Sequence, residues 1–131
     1  MNNNTKRILM TVGFIAAVAG LIWVMWYFSQ PKKPDFDVTS FAQCLAEKKV
    51  TMYGAYWCVH CKNQKSLFGD AFRYVPYVEC TENEKLCIEK GVEGYPTWIV
   101  PTEKGDSKLS GQQSFEGLSE ASGCELLPSP R

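Results

Sequence analysis

Two cysteines separated by two residues, Cys58-Val59-His60-Cys61, carry the sharpest chemical signal in the chain. A dithiol exchanger needs one thiolate to attack and a second thiol to resolve the mixed disulfide that results. Three-residue spacing supplies both if the pair opens a helix, because residues i and i+3 are neighbours on one face. Val50 to Tyr56 is rich in β-formers, whereas the pattern after Trp57 turns helical, so Cys58 falls at a strand-to-helix boundary. There the unpaired N–H groups and the positive end of the helix dipole favour an anionic sulfur. This reading makes Cys58 the exposed nucleophile and Cys61 the resolving thiol.

His60 sits between them. As a protonated imidazole beside Cys58 it would favour the thiolate, and with it the reduced form. That makes the disulfide an oxidant rather than a reductant. The plainer alternative is a partly exposed helix residue with no chemical role. A CxxC pair also serves in zinc ribbons, but there two pairs usually converge on one metal. This chain has one CxxC, and its single histidine lies inside it. No metal and no cofactor is therefore expected. A copper- or zinc-handling role for Cys58, His60 and Cys61 would call for a histidine on the loop opposite.

Tyr95-Pro96 follows 35 residues after Cys61, just ahead of a strand. Pro96 is expected to be cis, presenting backbone groups beside the dithiol to an incoming substrate chain. Trp57 and Tyr95 are expected to form the surface that meets that substrate. Cys44, Cys80, Cys87 and Cys124 remain as structural disulfides. A local Cys80–Cys87 bridge leaves Cys44 for Cys124; the rival is Cys44–Cys87 with Cys80–Cys124, and Cys80 with Cys87 could instead be a relay pair.

The positioning elements follow from pattern. Thr39 or Ser40 caps a helix to about Lys49, followed by a strand over 50–56 and a helix from the CxxC to about Arg73. A second strand covers 74–80, with Pro76 near its start. A helix over 82–90 stops at Gly91. A strand at 97–100, a turn at Lys104-Gly105-Asp106, a strand near 108–110 and a helix from Ser114 to about Ala121 complete the order. Strand–helix alternation ending in a hairpin predicts an α/β fold, a mixed four-stranded sheet with helices on both faces, in the thioredoxin order.

Ile8 to Phe28 is 21 residues without a charge. As a helix it would reach about 31 Å, enough to cross a bilayer core. Trp23, Trp26 and Tyr27 cluster at its far end, where amphipathic rings favour the interface. An uncleaved anchor is preferred to a signal peptide cut after Ala17-Val18-Ala19, since that cut would leave an apolar stretch at the new terminus. The expected organisation is a tail at 1–7, a transmembrane helix at 8–28, a linker at 29–37, a domain at 38–124 and a loose tail at 125–131. Lys6 and Arg7 balance Lys32 and Lys33, so flanking charge leaves orientation open. Six cysteines suit an oxidising compartment, which places the N-terminus in the cytoplasm and the domain outside. The first 34 residues hold four basic side chains and no acid, and the remaining 97 hold 10 basic and 14 acidic ones. With no basic stripe in the domain, nucleic acid is excluded as a partner.

Met52 to Cys61 (MYGAYWCVHC), Gln64-Lys65, Leu67-Phe68-Gly69, Val78-Glu79-Cys80 and Gly94 to Ile99 (GYPTWI) closely resemble one group of sequences. This is the thioredoxin-like domain fused to, or partnered with, bacterial vitamin K epoxide reductase (VKOR) homologues, related to DsbA-like oxidoreductases. The resemblance spans residues 40–124. It implies a thioredoxin fold, extracytoplasmic exchange with thiol- or disulfide-containing substrate proteins, catalysis by Cys58 and Cys61, and a cis Pro96. It also implies re-oxidation by a membrane quinone reductase of the VKOR or DsbB type, here on a separate chain. Val59 stands where relatives usually carry proline, which leaves the redox poise open, and reductase activity is the alternative. Many thioredoxins place a buried carboxylate six residues before the first cysteine to take the resolving thiol's proton. Met52 occupies that position, leaving Glu79 or water.

Overall fold

The computed structural model describes residues 2–30 and 34–129. It forms two units, one within residues 1–33 and one from residue 34 onward. The first is a single helix, α1 (Asn3–Phe28), whose most apolar stretch has a mean hydropathy of 2.4 and which buries none of its residues. It is long and apolar enough to span a bilayer. It starts five residues before the apolar run, because Asn3 to Arg7 continue the same backbone. Residues 31–33 of the expected 29–37 linker lie outside the described residues.

The second unit runs α2 (Val38–Glu47), β1 (Thr51–Gly54), α3 (Val59–Phe68), a 3-10 helix (Gly69–Tyr74), β2 (Tyr77–Glu79), α4 (Glu84–Glu89), β3 (Thr97–Thr102), β4 (Gly105–Ser110) and α5 (Phe115–Ser122). The sheet order is β2-β1-β3-β4. β1 pairs with β2 in parallel and with β3 antiparallel, and β3–β4 is a hairpin. This is the mixed four-stranded thioredoxin sheet.

Strand periodicity separates two cores. Met52 of β1 and its partner Trp98 of β3 face one side, joined by Phe41 and Leu45 of α2, Phe68 of α3 and Leu118 of α5. Tyr53 and Ile99 face the other, joined by Cys80 and Cys87 of α4. Phe115 meets Phe36, Phe41 and Phe68 edge to face within the larger core, with the Phe68 and Phe115 centroids 5.0 Å apart, and Phe41 stacks on Phe68. Such pairs add to simple area burial.

Several boundaries differ from the sequence reading. α2 is capped by Asp37, not by Thr39 or Ser40. Its carboxylate accepts from the Thr39 and Ser40 amides at 2.9 and 3.2 Å and from Ser40 Oγ at 2.6 Å. Those bonds, led by the Ser40 hydroxyl, hold the Asp37 carboxyl below its ordinary value. Aspartate at this position satisfies two first-turn donors at once. α3 ends at Phe68 instead of Arg73, since Gly69 turns to φ +54 and a 3-10 turn follows. β1 and β2 are shorter than expected. β3 and β4 are longer, with pairing continuing through Pro101↔Asp106 to Thr102↔Gly105. α5 matches, with Ser114 Oγ accepting from the Gly117 amide at 3.1 Å. Residues 127–129, within the expected tail, pair with residues 35–37. Phe36 bridges Pro128, and the Asp37 amide donates to the Leu127 carbonyl at 2.8 Å. Residues 35–37, within the expected linker, fall in the second compact unit.

Candidate active site

Cys58 is the N-cap of α3. Its backbone is extended (φ −73°, ψ 118°), and its Sγ accepts from the Cys61 amide at 3.2 Å. A sulfur thus occupies the place usually taken by a serine or aspartate oxygen, with a helix-terminal N–H pointing at it. β1 ends at Gly54, and the Cys58 amide donates to the Ala55 carbonyl at 3.0 Å, closing the turn that presents the motif. Cys58 S–H donates to the Tyr95 carbonyl at 3.5 Å. The Tyr95–Pro96 peptide is cis. The sequence therefore brings the CxxC and the Tyr95-Pro96 segment together, 37 residues apart in the chain.

The sulfur is less exposed than expected. Cys58 is 7 % exposed and Cys61 1 %. Both are free thiols. Access runs along an open groove walled by Trp57, Val59 and His60 on one side and by Glu93, Gly94 and Tyr95 on the other. Trp57 is 57 % exposed and meets the Tyr95 ring edge to face at 5.9 Å. Tyr56 and Val59 are also exposed, so apolar surface rims the buried sulfur. Among the described residues no group of three or more His, Cys, Asp or Glu is placed to hold a metal. The remaining cysteines pair as Cys44–Cys124 and Cys80–Cys87, tying α2 to the segment after α5 and the end of β2 to α4.

Cys61 faces inward. Burial pushes its thiol up to about 11, and the hydrogen bond with Cys58 acts in the same direction. Its neighbours include a group that the motif itself does not reveal. A Cβ on Gly54 would lie 2.9 Å from Cys61 Sγ, 3.1 Å from Tyr77 Cε2 and 3.2 Å from Tyr77 Oη. Sulfur and phenol therefore border the same small space over the Gly54 Cα, a space that exists only because residue 54 lacks a side chain. Tyr77 Oη donates to Glu79 Oε2 at 2.6 Å. The other carboxylate oxygen accepts from Thr81 Oγ1 at 2.7 Å and from the Tyr56 amide at 3.1 Å. Burial would raise the Glu79 carboxyl, but the bonds from Tyr77, Thr81 and Tyr56 outweigh it and hold the group below its ordinary value. Tyr77 moves the opposite way, pushed up by burial and then by Glu79. Lys65 of α3 places its ammonium 3.6 Å from the Tyr77 ring centroid, a cation–π contact that pins the ring.

Tyr77, Gly54 and Lys65 are thus site residues that sequence reading passed over. The available signal was strand periodicity. Tyr77 and Glu79 are two apart and share a face, and parallel register places them opposite Met52 and Gly54.

An α/β sheet with a CxxC pair at the start of a helix and a cis proline across from it defines a thioredoxin-type domain. The thioredoxin family profile matches residues 34–122, and the chain belongs to that family. It is 40 % identical over 84 residues to thiol-disulfide oxidoreductase LTO1 of Arabidopsis thaliana, covering 57 % of this chain and 21 % of that protein. It is 30 % identical over 128 residues to protein disulfide isomerase-like 2-2 of Oryza sativa, covering 84 % of this chain and 34 % of that one. The chain therefore spans about a fifth to a third of the length of these relatives.

Proposed function

We propose that this protein is a membrane-anchored thiol–disulfide oxidoreductase that exchanges disulfides with substrate proteins through Cys58 and Cys61. The observation that carries this reading is the Cys61 amide aimed at Cys58 Sγ from the first turn of α3. An N–H at that position stabilises negative charge on sulfur, and the thiolate is the attacking species. In the oxidising direction a substrate thiolate attacks Cys58 Sγ and breaks the Cys58–Cys61 bond. A second substrate thiolate then attacks its own mixed-disulfide sulfur and releases Cys58. The substrate gains a disulfide, and two electrons pass to the pair.

The groove supplies the docking surface. Trp57 and Tyr95 line it with aromatic area, and the backbone before Pro96 stands beside Cys58. His60 lies on the groove wall, where a positive charge would add to that of the helix start. The apolar α1 is the anchor, with the domain on the extracytoplasmic side of a cell membrane, where the two further disulfides would persist. A separate membrane reductase of the VKOR or DsbB type re-oxidises the pair. The name of LTO1, a thiol-disulfide oxidoreductase, supports the exchange reading.

The test is disulfide exchange by the full chain in detergent micelles, with a reduced, unfolded protein as substrate. Cys58→Ser should abolish exchange, and Cys61→Ser, offered the same protein in its disulfide-bonded form, should trap it as a mixed disulfide at Cys58 with release of the substrate's other thiol. A fully active Cys58→Ser variant would overturn the reading. Equilibration with glutathione sets the direction: a potential at or below about −270 mV, the value of reducing thioredoxins, would make the protein a reductase.

A further inference from the structure

Building on the exchange reading above, we propose that Tyr77 and Glu79 carry the proton of Cys61, with the phenol passing it between the buried sulfur and the carboxylate. Three observations converge on this. Cys61 is 1 % exposed, so water has little direct access to its sulfur. Tyr77 Oη and Cys61 Sγ border the same gap above Gly54. Finally, the Tyr77 hydroxyl spends its proton on Glu79 at 2.6 Å, which leaves an oxygen lone pair free to accept from a thiol. Glu79 is half-buried and continuous with the surface, so the route has an outlet.

The position that would hold a carboxylate on β1 is Met52, which is fully buried. Parallel register sets Met52 against Tyr77 and Gly54 against Glu79. The acid therefore sits one strand away, and the phenol spans the interval. Gly54 leaves open the gap that both groups border, and the Lys65 ammonium at 3.6 Å holds the ring in place. Lys65 also lies near enough to favour an anionic Cys61.

The step balances as follows. When Cys58 holds a mixed disulfide, the Cys61 S–H proton moves to Tyr77 Oη while the Tyr77 proton moves to Glu79 Oε2 and on to solvent. The Cys61 thiolate attacks Cys58 Sγ and the Cys58–Cys61 bond forms. The bond from Cys58 to the substrate breaks, and the substrate sulfur leaves as a thiolate with the electron pair. In the opposite direction Cys61 is the leaving sulfur, and the same route returns a proton to it.

An aromatic disulfide reagent that releases one chromophore per attack separates the two steps on the reduced full chain in micelles. The first release reports attack by Cys58 and the second reports resolution by Cys61. Tyr77→Phe keeps the ring and its contact with Lys65 but removes the relay oxygen. It should slow the second release by about a hundredfold near neutral pH, the lower end of proton-transfer effects. The deficit should close as pH rises and Cys61 ionises without help. Glu79→Gln can still accept from Tyr77 but cannot take a proton, so it should show the same pH signature. Second-step rates and pH profiles equal to the parent's in both variants would overturn the relay. Absence of any release from the parent chain would instead overturn the exchange reading.

Discussion

Gly54→Ala tests the packing that brings Cys61 and Tyr77 together, and its size follows from three distances. The new methyl would meet Cys61 Sγ at 2.9 Å, Tyr77 Cε2 at 3.1 Å and Tyr77 Oη at 3.2 Å. All three are well inside ordinary van der Waals separation. None belongs to a free-swinging end. The sulfur is fixed in the first turn of α3, and the phenol is held by Glu79 and Lys65. Overpacking of this kind costs about 1–3 kcal/mol. Alanine also restricts the unfolded chain, which returns about 0.4–1 kcal/mol. The net loss is about 1–2 kcal/mol, or a fall in Tm of about 5–15 °C for a domain of this size. Near-ultraviolet circular dichroism of the full chain in micelles, with the structural disulfides intact, would follow tertiary unfolding. Gly94→Ala is the control, since nothing lies within 4 Å of its Cβ position. Its stability should stay within about 0.5 kcal/mol of the parent. A Gly54→Ala protein as stable as the parent would refute the reasoning, because the gap would then be able to relax at no cost.

Two more outcomes follow from the cysteines. Replacing Cys44 and Cys124 with alanine opens a loop of sequence separation 80, against 7 for Cys80 and Cys87. Chain entropy predicts losses of about 4–5 and about 2–3 kcal/mol respectively, so denaturant midpoints in the reverse order would contradict it. Cys61 has a folded-state value near 11, above its ordinary 9.0, so the fold favours the neutral thiol. Its contribution to stability is complete below pH 9 and is lost as pH rises toward about 11. Tyr77 shifts in the same direction but is present in both redox forms. The stability of the reduced protein minus that of the oxidised protein should therefore fall across this window, and a flat difference would count against a buried Cys61.

The sequence alone determined the elements whose causes are local. A CxxC after a β-rich run, Gly91 after a helical stretch, Ser114 ahead of α5 and a charge-free run from Ile8 to Phe28 each act through neighbours in the chain. The thioredoxin order of strands and helices follows from them. Boundaries were harder, because they turn on competition between close alternatives. Asp37 displaced Thr39 and Ser40 as a cap by accepting from both of their amides. Gly69 ended α3 by adopting a positive φ that the helical spacing of Phe68 and Phe72 concealed.

Only the tertiary structure decided what surrounds each sulfur. Spacing identifies Cys58 and Cys61, but their burial depends on the aromatic core and on the Tyr95 segment, 37 residues away. Glu79 could be named from sequence only as one option, since nothing local links it to Cys61. Parallel pairing of β1 with β2 makes that link, setting Tyr77 and Glu79 beside Gly54. The reason is physical: helix starts and stops are fixed within a few residues of backbone, whereas a proton path needs side chains from distant segments held in one register.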